Sequence, residues 1–203
     1  MPLTMKNYCT IYLVRHGETE WNEKKIVQGQ TDIPLNKKGE GQAKELAEKL
    51  THVKFDAVFS SDLIRAKRSA EIIILEKKLA VITTNALRER MFGRFEGKHI
   101  NKLRKAFGEL LLIEKQDYEV ESDDKILLRL NPFLREVAVA YPGKNVLMVT
   151  HGGLLRAFLS HVGFKIPEYL DRPMKNTGYL IIESDGVEFE IKEERLFQKI
   201  SNF

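Results

Sequence analysis

Along the chain, short apolar and β-branched runs alternate with longer amphipathic stretches. "CTIYLVRH" (9–16), closed by Gly17, predicts a buried strand. A polar, glycine-bearing loop follows through "VQGQTDIPLNKKG". From Gly39, "EGQAKELAEKL" sets Ala43, Leu46, Ala47 and Leu50 on one face, as a helix returning along a sheet does. "FDAVFSS" predicts a second strand. The helix after it, "DLIRAKRSAEIIILEKK", has Asp62 as its expected N-cap and a stripe of Leu63, Ala66, Ala70 and Ile73. The run Ile72 to Ile74 would suit a strand, but its flanks place it in the helix. "AVITT" predicts a third strand and "NVLMVTHGG" (145–153) a fourth, followed by helical "LLRAFLSHVG".

This alternation predicts an α/β fold, a three-layer α/β/α sandwich around a mostly parallel sheet. Two further helices, "NKLRKAFGELLL" and "DKILLRLNPFLREVAVAY", fall between 97 and 143 and suggest a helical lid. "GYLIIESDGVEFEIKEERL" predicts a hairpin turning at Asp185 and Gly186. With 203 residues and 43% hydrophobic content, one domain over 1–203 with the lid inserted at about 97–143 is expected.

Two strands end alike. "IYLVRHGE" and "VLMVTHGG" each deliver a histidine at the carboxyl end, followed by a glycine that lets a ligand approach closely. Ligands of open α/β sheets bind outside those strand ends, so His16 and His151 should face one crevice if their strands are neighbours. Arg65, one turn into "SDLIRA", is placed at the end of the second strand, and Arg15 precedes His16. An arginine and a histidine at the end of a core strand cost solvation unless an anion offsets it, and guanidinium forks match phosphate oxygens in pairs. Within such a cup a neutral imidazole is a credible nucleophile at pH 7. The proton donor should be a carboxyl nearby, and the pattern leaves Glu18, Glu89 and Glu96 open.

Each residue also has a plainer reading. An isolated strand histidine is more often a satisfied core residue, Arg65 could sit on a solvated helix face, and Glu89 in "LRER" could form a surface ion pair. Residues 88–105 are rich in Arg and Lys, which suggests a solvated helix face or a rim that attracts anionic substrates.

Composition narrows the classes. Lys and Arg total 33 against 29 acids, a formal charge of +4, and no aromatic stacking platform accompanies it, so nucleic-acid binding is not expected. Cys9 is the one cysteine, which fits a reducing, cytoplasmic setting. It stands at the Cys-five-Arg spacing of cysteine-based phosphatases, but Thr10 to Val14 read as regular strand rather than an amide-rich loop, so a core role is expected. No run reaches the roughly 18 apolar residues of a membrane span. His52, His99 and His161 have no partner at metal-ligand spacing, and no metal or cofactor is expected. Nothing distinguishes a monomer from a homodimer.

"LVRHGETEWN" resembles the signature of the histidine phosphatase superfamily, the phosphoglycerate mutase-like proteins. "QGQTDIPLNKKGEGQA", "FSSDLIRAKRSA", "LRERMFGRFEGK" and "VTHGG" extend the resemblance in order over nearly the whole chain. The resemblance implies His16 as the phosphorylated nucleophile, Arg15, Arg65 and His151 as the phosphate clamp with Asn22 assisting, and Glu89 as proton donor. It sets Thr19, Gln28 and Gly29 on the substrate side, with Gly152 beside the phosphate. Mutases of the family resemble one another in a longer segment between the acid and the second histidine, with paired arginines before a proline run, which this chain lacks. The phosphatase branch is therefore expected, acting on a small phosphorylated metabolite, with mutase-type transfer or an idle phospho-ligand binder as alternatives. Phosphatase relatives usually carry a glycine before Glu-Ser where this chain has Val120, a departure that bears on the local turn.

Overall fold

In the computed structural model residues 7–109, 119–164 and 174–197 are described, residues 107–109 in backbone alone. The strands are β1 (Cys9–Arg15), β2 (Ala57–Ser61), β3 (Val81–Thr84), β4 (Asn145–Thr150), β5 (Tyr179–Ser184) and β6 (Phe189–Glu194). They form one sheet ordered β3-β2-β4-β1-β5-β6. The pairs β1 with β4, β2 with β4 and β2 with β3 are parallel, whereas β5 and β6 add an antiparallel hairpin to one side.

Alternation along the strands decides which residues meet which helices. Cys9, Ile11 and Leu13 of β1, with Val146 and Met148 of β4, face α5 (Asp123–Ala140) and α6 (Gly152–His161). Val14, Val58, Leu147 and Val149 face the other way, onto α2 (Lys37–Lys49) and α3 (Ile64–Ile73). The result is helix, sheet, helix in three layers. Short α1 (Glu20–Glu23) follows β1, and α4 (Ile100–Glu109) precedes α5.

The stretch expected as a lid divides in two. Ile126, Leu130 and Leu134 of α5 are fully buried in the main core. At about 1.5–3 kcal/mol for each such side chain, α5 is anchored to the sheet. By contrast, α4 packs through Leu103 on a separate small cluster with Val27 and Phe95. The last three residues expected in that helix, 110–112, lie outside the described residues. Val120 packs against the same small cluster, and the left-handed backbone belongs to its neighbour Glu119 at φ 55°. The β-branched residue therefore occupies no strained position.

Two expectations are corrected. Asp62 does not cap α3, whose N-cap is Leu63 without a side-chain bond. The Asp62 carboxylate is instead drawn to the Arg88 guanidinium, with bonds of 2.7 and 2.6 Å. Residues 88–105 are not one helix face either: Gly93 and Gly97 adopt φ of 51° and 77°, conformations that break a helix, and regular helix resumes only at Ile100. Among the described residues no helix is long and apolar enough to cross a membrane.

Candidate active site

The parallel pairing of β1 with β4 sets Arg15 against Thr150, so the next residue of each strand, His16 and His151, emerges at the same end of the sheet. Their rings lie 5.1 Å apart, centroid to centroid. His16 N–H is bonded to Thr150 O at 2.9 Å, which fixes the two strand ends together. Both imidazoles are buried.

The His16 ring has a defined tautomer. Its Nδ1 lies 2.6 Å from the carbonyl oxygen of Gly17, which only accepts, so Nδ1 carries the proton and Nε2 keeps its lone pair. Burial, and then the charges of Arg65 and Arg15, hold its pKa well below the ordinary histidine value. Burial acts in the same way on His151, followed by Arg65, His16, Arg15 and Arg129. Each ring is neutral at pH 7.

Arginine Arg65, whose plainer reading was a solvated face, is fully buried. Its two terminal nitrogens donate to Thr31 O at 2.8 Å and Gly29 O at 2.6 Å, tying α3 to the 28–31 loop. Gly29 is required there: its φ is 53°, and a Cβ would stand 2.0 Å from Glu96 Oε1. Ser69, one turn along α3, accepts from Gly17 N–H at 3.0 Å and donates to Arg65 O at 2.7 Å. Arg15 donates through Nη1 to Met174 O. Burial pushes its pKa down to about 10, with Glu89 opposing and Arg156 and Arg65 adding to the fall, so it stays charged at pH 7.

Four buried nitrogens here make no hydrogen bond among the described residues: Nε of Arg15, Nε of Arg65, and both ring nitrogens of His151. Leaving such groups unsatisfied costs about 1–3 kcal/mol each, more when charged, and an anion with several acceptor oxygens relieves several at once. The glycine at 152 leaves room beside one of them, since a Cβ there would sit 3.4 Å from Arg15 Nε.

Geometry separates the three candidate carboxyls. Glu18 bonds Asn36 Nδ2 at 3.1 Å and Lys38 Nζ at 2.9 Å. Burial acts upward on it, but those partners outweigh burial and keep it below its usual range. Glu96 accepts from the amides of Gln30, Thr31 and Phe92 and from the Thr31 hydroxyl, which shapes the 28–31 loop. Glu89 is buried against the start of α6, and its charge acts on Arg15 and Arg65. Its carboxyl accepts from the N–H groups of Arg90 at 2.7 Å and of Gly153 and Leu154, each at 3.1 Å, in the first turn of α6. A side chain at 153 would displace the Glu89 carboxyl, because its Cβ would fall 2.5 Å from Glu89 Oε1. Among the described residues Glu89 makes no ion pair, and its segment is tied to the sheet by Thr150 Oγ1 donating to Leu87 O at 2.8 Å.

Thr19 is fully buried and caps α1 in a reciprocal box with Asn22. Its hydroxyl lies 3.0 Å from Gln28 Oε1 and 3.2 Å from Asn22 Oδ1, so Thr19, Gln28 and Asn22 form one knot. Asn176, which no sequence motif marked, joins the knot by donating to His16 O at 3.1 Å and Asn22 Oδ1 at 3.3 Å. Cys9 lies in the core, where burial and then Asp56 push its thiol up to about 11, far from a thiolate at pH 7. Among the described residues no group of three His, Cys, Asp or Glu side chains is placed to hold a metal ion.

The chain is 35% identical over 193 residues to the uncharacterized phosphatase PhoE of Bacillus subtilis strain 168, covering 95% of this chain and 97% of that protein. It is 36% identical over 160 residues to phosphoglycerate mutase-like protein 4 of Arabidopsis thaliana, covering 74% and 70%. Its fold matches the crystal structure of phosphoglycerate mutase from Bacillus anthracis with a TM-score of 0.80 at 25% identity, over 92% of each chain. Residues 11–195 match the histidine phosphatase superfamily (branch 1), and the chain belongs to that superfamily.

Proposed function

We propose that the protein is a phosphomonoesterase that hydrolyses small phosphorylated metabolites through a phosphohistidine on His16. The observation that carries this reading is the His16 Nδ1–H bond to Gly17 O, which leaves Nε2 with a lone pair beside the unsatisfied nitrogens of Arg15, Arg65 and His151. Nε2 attacks phosphorus as the bond to the leaving oxygen breaks, and Glu89 delivers a proton to that oxygen. Arg15, Arg65 and His151 stabilise the charge on the transferring phosphoryl group. In the second half Glu89 takes a proton from water, water attacks phosphorus, and inorganic phosphate leaves with His16 restored. The cationic ring supplies the charge stabilisation, so the scheme calls on no metal ion.

The whole chain is read as one catalytic domain. Substrate choice is assigned to the 23–36 loop and to α4, which are joined by Ile100 N–H to Lys25 O at 2.8 Å, while residues 98 and 99 just before α4 bond the same loop through the bridge of Ile26 with His99 and Val27 N–H to Lys98 O at 2.9 Å. The similarity to a phosphatase over nearly all of both chains supports hydrolysis. The test is phosphate release, with chelator present, from phosphoserine, phosphoglycerates, sugar bisphosphates and p-nitrophenyl phosphate, run beside an assay for phosphoglycerate interconversion. Release outpacing interconversion supports hydrolysis. Faster interconversion would make the protein a mutase, and no turnover would make it a phospho-ligand binder.

A further inference from the structure

The segment that carries Glu89 is held from behind by a guanidinium that does not belong to the phosphate cup. Arg129, on α5, donates to Ala86 O at 2.8 Å and to Glu89 O at 3.3 Å, and so spans the turn between them. Its own direction is fixed by Glu121, whose two carboxylate oxygens receive Arg129 Nε at 2.9 Å and Nη2 at 3.0 Å. Both side chains are largely buried, with 22% and 11% exposed, and a two-pronged pair in that setting is geometrically rigid.

Glu121 is in turn laced to the other flank of Glu89. Its N–H bonds Met91 O at 2.9 Å, its Oε2 accepts from Met91 N–H at 3.2 Å, and its carbonyl accepts from Arg90 at 2.7 Å. Residues 86 to 91 are thus gripped on both sides of Glu89, and α5, which supplies Arg129, is anchored in the core. Gln30 adds a bond to the same Glu89 carbonyl at 3.1 Å. A carboxyl displaced by about 1 Å loses up to about 100-fold in transfer rate, so such a grip has catalytic value.

We propose that Arg129, oriented by Glu121, is a positioning residue that sets the Glu89 carboxyl against the leaving oxygen. This rests on Glu89 as the proton donor. Arg129 acts through Glu89, so its loss should be felt where protonation of the leaving group matters.

The experiment compares kcat/KM for p-nitrophenyl phosphate, whose leaving oxygen hardly needs a proton, with that for an alkyl phosphate such as glycerol phosphate. It uses the full chain and the variants Arg129→Lys, Glu121→Gln, Glu89→Gln and Glu89→Gln with Arg129→Lys. Thermal melts identify the variants that remain folded. Glu121→Gln keeps the arginine in place and gives the reading if Arg129→Lys does not fold. The expected result is a loss of about tenfold or more on the alkyl phosphate and under about threefold on p-nitrophenyl phosphate for Arg129→Lys, with a smaller loss of the same pattern for Glu121→Gln. In the Glu89→Gln background Arg129→Lys should add nothing to the discrimination. Equal losses on both substrates, or a further selective loss in the double variant, would overturn the positioning role while leaving Glu89 as the acid. If Glu89→Gln itself brings no discrimination, the proton-donor assignment falls and this inference falls with it.

Discussion

His16 and His151 stand 5.1 Å apart, ring to ring, at the ends of adjacent parallel strands, one ring tied through Nδ1 to Gly17 O and the other with no hydrogen bond from either nitrogen among the described residues. On the proposed mechanism this asymmetry divides their roles. The tied ring has a fixed tautomer and a free lone pair, as a nucleophile needs, whereas the untied one is available to bond the phosphoryl oxygens. Replacing His16 by Ala should lower turnover by about ten-thousand-fold or more, with an unchanged circular dichroism spectrum. Residual turnover within tenfold of the parent would exclude His16 as nucleophile.

Arg65 has a structural task beside the catalytic one proposed for it. Arg65→Ala strips the Thr31 and Gly29 carbonyls of their donor, and each buried acceptor left unsatisfied costs about 1–3 kcal/mol. Denaturant unfolding should therefore show a loss of about 2–6 kcal/mol, and phosphate should no longer raise the melting temperature. A variant with parental stability would place the guanidinium elsewhere.

The neutral histidines make stability depend on pH. In the unfolded chain each imidazole titrates near 6.5, and in the fold burial and the neighbouring arginines hold both well below that. The unfolded state therefore binds more protons in this interval. Stability is complete above about pH 6.5 and falls as the pH is lowered below it, by up to about 1.4 kcal/mol per pH unit for each ring. Melts between pH 7.5 and 5.5 should show the fall, and His151→Asn should make it shallower. A flat profile would contradict the burial of both rings.

Core packing and the phosphate-binding residues can be tested separately. Leu130→Ala in α5 should cost about 2–5 kcal/mol by leaving a cavity. Below its lowered melting temperature, kcat on p-nitrophenyl phosphate should stay within about twofold of the parent, because Leu130 is in the main core and that leaving oxygen hardly needs the proton that the Arg129-held Glu89 would give. Denaturant titration and steady-state kinetics on the same preparation check both halves.

Much of this was legible because the chemistry sits at strand ends. The apolar runs before His16 and His151 announced two core strands, and the glycine after each marked where the chain turns toward a ligand. What pattern could not supply was partnership across long separations. The amphipathic stripe of α3 left Arg65 ambiguous, since its burial depends on the carbonyls of Gly29 and Thr31, more than thirty residues away. Asn176 and the carbonyl of Met174 reach the site from the segment before β5 and carry no local signal. Asp62 looked like a cap because local rules favour it there, but Arg88 offers it two charged hydrogen bonds. The basic run from 88 suggested a helix face, and the left-handed Gly93 and Gly97 prevented one.

The most direct test of the account is to trap the covalent intermediate. A phosphohistidine survives in base and is lost in acid, so enzyme mixed with p-nitrophenyl phosphate and quenched within milliseconds into alkali should be digested and its peptides weighed. The account predicts one added phosphoryl group on the peptide containing His16, removed by brief acid treatment and absent from His16→Ala. Steady turnover with no adduct, or with the phosphoryl group on another residue, would contradict it.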